Sequence, residues 1–250
     1  MEIPLIEYKL FESYGDRIQY AITSRHGGVS SPPYDTLNFA FNVDDERENV
    51  EQNYENFCKK SGFIKEKIVF SDQPHTDKTA IIKEGVSDFK NPLSTVDAFI
   101  TKEKGIPISV RFADCQGVLI FDPEKEVIAA IHSGWKGNAQ NIIGKTVRKM
   151  IDEFECNPKN LLVIISPSLG PCCAEFQDPL HELPSEMHKY IDEYKVDLWA
   201  CTDDQLLDEG ILGENIENPR ICTMCNQDRF FSYRGSGGVC GRMMGLISLK

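Results

Sequence analysis

Two apolar runs joined by a short polar turn constrain this 250-residue chain more than any other feature. Residues 118–121 and 127–131 are rich in β-branched and large apolar side chains, and Asp122-Pro123-Glu124-Lys125-Glu126 lies between them. Proline presets a turn dihedral, so the two runs are predicted to form an antiparallel hairpin. With Asp122 paired to Val127, Gly117 faces His132 and Cys115 faces Gly134. Cys115 and His132 then meet at the open end of the hairpin, offset by two residues and within diagonal reach.

The rest of the chain reads as further short strands with fewer helices. Apolar runs bounded by Gly, Pro, Asp or Asn predict strands over 18–22, 68–70, 96–100, 106–112, 162–165, 230–233 and 244–249. A helix is predicted over 138–154, where Ile143, Val147, Met150, Ile151 and Phe154 share a face and Asn138 is a candidate N-cap. A second is predicted over 49–61 with Gly62 just past its end, and a third over 184–194. Strands and helices mix without strict alternation, which predicts an α/β fold of the mixed α+β kind. No repeat, low-complexity tract or linker divides the chain, so residues 1–250 are expected to form a single domain.

Charge and composition narrow the function. The chain carries 39 acidic and 27 basic residues, a formal net charge of −12. A basic face for nucleic acid or an anionic membrane is therefore not expected, and an anionic substrate needs a local positive site. No apolar stretch approaches the ~20 residues of a membrane span, and MEIPLIEYKL lacks a signal pattern, so a cytoplasmic protein is expected. Nine cysteines without a secretory signal favour thiols, metal ligands or a nucleophile over a disulfide framework.

The Cys115–His132 pair admits three readings. It is a buried thiol beside a core histidine, a Cys–His nucleophile, or part of a metal site. Position favours function, because both residues sit at strand ends beside glycine-rich turns. His75, just past the 68–70 run in Gln73-Pro74-His75-Thr76-Asp77, is the natural third member. Two imidazoles and a thiolate would suit Zn²⁺ or copper and leave one coordination position open, as a catalytic site requires.

At these residues the sequence resembles a known family, the laccase-domain proteins, also called multicopper polyphenol oxidases or YfiH-like purine nucleoside phosphorylases. The resemblance rests on Thr23-Ser24-Arg25-His26-Gly27-Gly28-Val29-Ser30, Thr36-Leu37-Asn38 and Ala113-Asp114-Cys115. It continues through His132-Ser133-Gly134-Trp135-Lys136-Gly137, Gly170-Pro171-Cys172-Cys173 and Phe230-Phe231-Ser232-Tyr233-Arg234. It implies a single-domain α/β/β/α layered sandwich and a metal site of His75, Cys115 and His132, with Zn²⁺ or Cu²⁺ as cofactor. It also implies phosphorolysis of adenosine, inosine and methylthioadenosine, and deamination of adenosine. The family's usual Gln-Val-His-Gly is here Gln73-Pro74-His75-Thr76, a glycine is replaced by Ser166, and an arginine by Gly235. Altered substrate preference is expected from these departures before loss of the metal.

Other residues can be given roles in that chemistry. A three-ligand Zn²⁺ lowers the pKa of its water toward ~7, suited to attack at adenine C6. Asp114 is a candidate proton shuttle or orienting group, or alternatively a turn-stabilising Asp. Arg25, with the Gly27 and Gly28 amides, is a candidate phosphate binder, and Lys136 near a helix start is another. Asn38 is a candidate partner for ribose hydroxyls. Arg229, Arg234 and Arg242 either close the pocket or decorate a solvated edge hairpin.

Cys222-Thr223-Met224-Cys225 lacks a second C-x-x-C. Cys172 and Cys173 could complete a site with it, but sequence separation gives no support, and ordinary thiols are expected. The competing functions are a copper-dependent polyphenol oxidase, a Cys–His amidase or deamidase acting on peptidoglycan precursors, and a metal-stabilised interaction module. Five histidines are too few for several copper centres, which ranks the oxidase lower. The native metal, the preferred nucleoside and the oligomeric state stay open at this level.

Overall fold

The computed structural model describes residues 3–83, 93 and 95–250. Its strands are β1 (Ile18–Ile22), β2 (Thr79–Ile81), β3 (Ala98–Thr101), β4 (Ile108–Phe112), β5 (Gln116–Asp122) and β6 (Val127–Ser133). After these come β7 (Leu162–Ile165), β8 (Ile191–Asp192), β9 (Lys195–Val196), β10 (Ile216–Glu217) and β11 (Met243–Leu249). The helices are α1 (Lys9–Glu12), α2 (Arg47–Ser61), α3 (Trp135–Ala139), α4 (Ile142–Phe154), α5 (Pro179–Glu182) and α6 (Leu198–Asp208).

The β5–β6 hairpin forms as its sequence dictates. Asp122 Oδ1 accepts from the Glu124 and Lys125 amides at 2.8 and 3.0 Å, closing the turn that Pro123 begins. Asp122 pairs with Val127 and Gly117 with His132. The hairpin is the centre of a six-stranded sheet of order β10-β7-β5-β6-β3-β2, and a three-stranded sheet of order β1-β11-β4 lies over it.

Alternation of side chains along each strand assigns them to layers. Leu119, Phe121, Ile128 and Ala130 face the smaller sheet, meeting Ile108, Val110, Phe112 and Ile247. Val118, Ile120, Ala129 and Ile131 face the other way, onto Ile143, Val147 and Met150 of α4. On the outer side of the smaller sheet, Ala21, Met244 and Leu246 pack on Val50, Tyr54 and Phe57 of α2. The result is the expected α/β/β/α sandwich, with α2 on one side and α4 and α6 on the other.

Several predicted elements differ from the expectation. The 138–154 helix is two helices, because Asn141 enters the left-handed region at φ 55° and its side chain caps α4 through the Gly144 amide. Asn138 is therefore not a cap; it is buried in α3 and donates to Thr202. Residues 184–194 form a 3₁₀ segment, Ser185–Tyr190, and the start of a small hairpin. Glu193, at φ 53°, reverses the chain there so that Val196 buries with Met187 and Leu183. Residues 68–70 contribute an isolated bridge, Val69 to Ile108, rather than a strand. Residues 230–233 are irregular: consecutive Phe230 and Phe231 are both buried, which an alternating strand with one solvated face cannot arrange. The α2 helix ends as expected at Gly62, whose φ of 84° suits glycine.

The layering predicts where truncation matters. Leu119→Ala, in the seam between the sheets, should cost ~2–5 kcal/mol in urea unfolding, whereas Leu212→Ala on the surface should change stability by less than ~0.5 kcal/mol. Equal effects would contradict the assignment of the seam as core.

Candidate metal centre and its pocket

Three segments bring the predicted trio together. Cys115 lies in the turn between β4 and β5, His132 is near the end of β6, and His75 sits in a loop ahead of β2. One ligand atom from each lies within 4.8 Å of the others. Cys115 Sγ is 3.8 Å from His75 Nε2, and the two imidazole rings meet edge to face with centroids 4.8 Å apart. Gly134 makes room for this approach: a Cβ there would stand 2.7 Å from Cys115 Sγ and 3.3 Å from His75 Cδ2.

The organiser of the trio is Asp97, which the sequence reading passed over inside the 96–100 run. Its fully buried carboxylate accepts from His132 Nδ1 at 2.9 Å, from the His75 amide at 3.1 Å and from the Thr76 amide at 2.7 Å. Thr76 Oγ1 adds a fourth bond at 2.9 Å. The bond at Nδ1 directs Nε2 of His132 toward the site, the usual arrangement for a metal-ligating histidine. An aspartate among Val96, Ala98, Phe99 and Ile100 was the available signal, since a buried carboxylate demands partners.

The loop conformations are strained in the same place. Gln73, His75 and Asp114 have φ values of 56°, 63° and 81°, a region that costs most non-glycine residues energy. Gln73 holds its bend by exchanging two side-chain hydrogen bonds with the Arg111 backbone, at 2.6 and 2.8 Å.

The electrostatics favour a thiolate. Burial pushes the Cys115 thiol up, but the neighbouring His132 charge and hydrogen bonds from His132 and His75 outweigh it and bring it down to about 6. His132 moves upward: burial opposes its charge, and Cys115 and Asp97 more than offset that. Two imidazole nitrogens and a thiolate form a donor set that fits zinc or copper, with Asp97 fixing the ring that would ligate.

This trio lies in the wall of a cavity of about 700 Å³, a size that admits a nucleoside. Lys136, Arg234 and Arg242 also line it, as do Trp135 and Tyr233. Arg234 Nη1 donates to the Cys173 and Glu175 carbonyls, and Arg242 Nη1 to those of Cys240 and Gly241. The pocket is thus locally cationic on an acidic protein. Arg234 and Arg242 reach it from irregular loops, so the pocket-wall expectation holds for these two and the edge hairpin does not form; Arg229 is exposed, 5.1 Å from the Phe230 ring centroid, and is not among the lining residues.

Not every expected residue reaches the cavity. Arg25 is not among its lining residues; its guanidinium bonds the Asp35 side chain and the Asp35 and Gln227 carbonyls and lies 4.8 Å over the Phe231 ring. Its many local partners hold it in the scaffold. Asn38 is fully buried, bonding Ala40, Asp45 and the Arg242 amide, and so positions the Arg242 loop instead of facing the cavity. Asp114 lines the pocket, but its two oxygens accept from Thr223 Oγ1 and the Arg234 amide, each at 2.7 Å. Lys136 lines the cavity with its Nζ 5.5 Å from the Trp135 ring centroid. The other histidines are elsewhere, His26 beside the Asp228 carbonyl, His181 beside Asp178 and His188 beside the Leu183 carbonyl.

A layered α/β sandwich carrying a His-Cys-His trio beside a cationic pocket defines a class of protein. The chain belongs to the family described as Multi-copper polyphenol oxidoreductase laccase, which it matches over residues 19–250. It is 33% identical to a purine nucleoside phosphorylase of Clostridium acetobutylicum, across 98% of this chain and 97% of that protein. It is 27% identical to the purine nucleoside phosphorylase YlmD of Bacillus subtilis, across 91% of this chain and 87% of that one. The crystal structure of the Bacillus licheniformis protein YfiH superposes with a TM-score of 0.89 at 28% identity, covering 99% of this chain and 96% of that chain.

Two measurements probe this geometry. Asp97→Asn should weaken zinc binding ~10–100-fold in a competitive chelator titration, because the replaced carboxylate no longer orients His132; unchanged affinity would count against Asp97 as organiser. In chelated protein, the depressed Cys115 pKa keeps the thiolate populated down to about pH 6. Iodoacetamide labelling of Cys115, read by peptide mapping, should therefore stay near its plateau at pH 7, where an ordinary thiol is only ~3% ionised. An inflection near pH 8.5 would contradict the ion-pair reading.

Proposed function

We propose that this protein is a metal-dependent purine nucleoside phosphorylase that also deaminates adenosine, with adenosine, inosine and methylthioadenosine as phosphorolysis substrates. The observation that carries the reading is the juxtaposition of the His75–Cys115–His132 trio with Lys136, Arg234 and Arg242 in one nucleoside-sized cavity. The names of the relatives support the purine nucleoside phosphorylase part of this reading. On it, residues 1–250 act as a single domain working in the cytoplasm on small molecules, with neither nucleic acid nor membrane as partner. Among the described residues no helix is long and apolar enough to cross a membrane.

His75, Cys115 and His132 would hold the ion, zinc or copper. Such an ion supplies Lewis acidity and a more acidic water to the cavity. The protein's own side chains do the rest. Lys136 and Arg242 bind hydrogen phosphate and aim an oxygen at ribose C1′. The C1′–N9 bond breaks as the new C1′–O bond forms, its electron pair leaves with the purine, and the phosphate's proton passes to the purine to give the neutral base. Arg234 adds charge from the same irregular stretch as Arg242, and Asp114, bonded to the Arg234 amide, is a positioning residue for it. The exposed Tyr233 ring offers the purine an apolar face. In deamination water adds at C6 and ammonia leaves, with no need for the phosphate-binding cations. That difference separates the two reactions experimentally.

Zinc-replete protein should convert adenosine to adenine only when phosphate is present, and to inosine without it, as resolved chromatographically. Cys115→Ser should abolish both conversions. Lys136→Met should lower kcat/KM for phosphate ~10–100-fold while deamination stays within about two-fold. Metal-replete protein that forms neither product from any of the three nucleosides would overturn the proposal.

A further inference from the structure

A second constellation of metal-binding groups lies outside the trio, and the mechanism does not use it. Sequence separation gave no reason to join Cys172 and Cys173 to Cys222 and Cys225, and the fold joins them. The Gly170–Cys173 turn and the loop entering the 3₁₀ segment Met224–Asn226 lie side by side, stitched by Ser168 and Thr223 through an amide-to-carbonyl bond of 3.0 Å. All four sulfurs lie within 4.8 Å of one another. Cys225 Sγ is 3.6 Å from Cys172 Sγ and 3.5 Å from Cys173 Sγ.

These separations have a chemical meaning. A disulfide would hold two sulfurs at ~2.05 Å, and four unlinked thiols gain little from gathering at contact distance. A tetrahedron of thiolates around zinc, with Zn–S near 2.3 Å, has sulfur–sulfur edges of about 3.8 Å. One of the four sulfurs also has a backbone donor: the Gly170 amide donates to Cys222 Sγ at 3.4 Å. Gly170 is needed for that approach, since a Cβ there would stand 3.2 Å from the Cys222 Cβ and 2.7 Å from the Trp199 ring.

We propose that Cys172, Cys173, Cys222 and Cys225 form a second metal site, a closed tetrathiolate zinc centre that is structural. With four protein ligands the ion has no open position, so this centre binds no substrate. It clasps two loops that reach the pocket. Thr223, next to Cys222, donates to Asp114, and the Cys173 carbonyl accepts from Arg234. The site thereby fixes the wall that carries Arg234. This inference stands apart from the nucleoside reading and is tested without turnover.

Purified under reducing conditions, the Cys115→Ser chain, whose trio is disabled, should retain one zinc per chain by elemental analysis. Adding Cys225→Ser should bring the count to zero, and a chelator should lower the Tm of the first variant and not of the second. Should the double variant fail to fold, wild-type protein still decides the matter by alkylation mapping. Cys172 and Cys225 are exposed to solvent, yet should react with iodoacetamide only after chelation. Immediate alkylation of both before chelation, iron in place of zinc, or loss of two of the nine thiols to a disulfide would each overturn the site. Failure of phosphorolysis would leave these readouts unchanged.

Discussion

The site depends on one buried carboxylate. Removing Asp97 from water costs several kcal/mol unless its oxygens are satisfied, and here they accept from a histidine ring, two loop amides and a threonine hydroxyl. Those bonds do three things at once. They orient His132, bind the strained loop that presents His75, and hold that loop against the end of β6. The Asp97 carbonyl accepts from the His132 amide at 2.7 Å, so backbone and side chain register the two strands together. Without this anion the imidazoles would have no common reason to face Cys115.

Around that anchor the protein divides its work between rigid and adaptable parts. Two packed sheets fix the ends of β4, β5 and β6; His132 projects from the last residues of β6, and Cys115 and His75 from the loops beside it. Lys136 comes from α3, whereas Arg234 and Arg242 come from loops tied down by carbonyls, by Asp114 and, on the proposal above, by the thiol cluster. A net charge of −12 over the whole chain coexists with a cationic cavity because only local geometry decides the field there. The family's description evokes several copper centres. In this chain only two of the five histidines converge, which suits a single imidazole-bound ion.

How much was legible in the sequence varied with the range of the interaction. The β5–β6 hairpin and its register were readable because turn chemistry and alternation act over a few residues. The α2 helix and its terminal glycine were readable for the same reason. The 138–154 helix was misjudged at Asn141, where a single left-handed residue outweighs the periodicity on either side. Arg25 and Asn38 looked like ligand-binding residues because arginine and asparagine suit phosphate and ribose. Their neighbours Asp35, Phe231 and Asp45 give them structural partners instead. Asp97 was hidden in an apolar run, and its importance follows only from what surrounds it.

What the sequence by itself determined was therefore the alternation of apolar and polar residues, the hairpin that sets Cys115 beside His132, and the charge balance. All of these rest on contacts between near neighbours in the chain. Tertiary structure decided which distant groups share a few ångströms: His75 with Cys115, Asp97 with both histidine segments, and Cys172 and Cys173 with Cys222 and Cys225. Side-chain chemistry states what a residue can bind, but ligation and hydrogen bonding fall off within an ångström or so. Only the packing of the two sheets and their loops brings these groups within that distance.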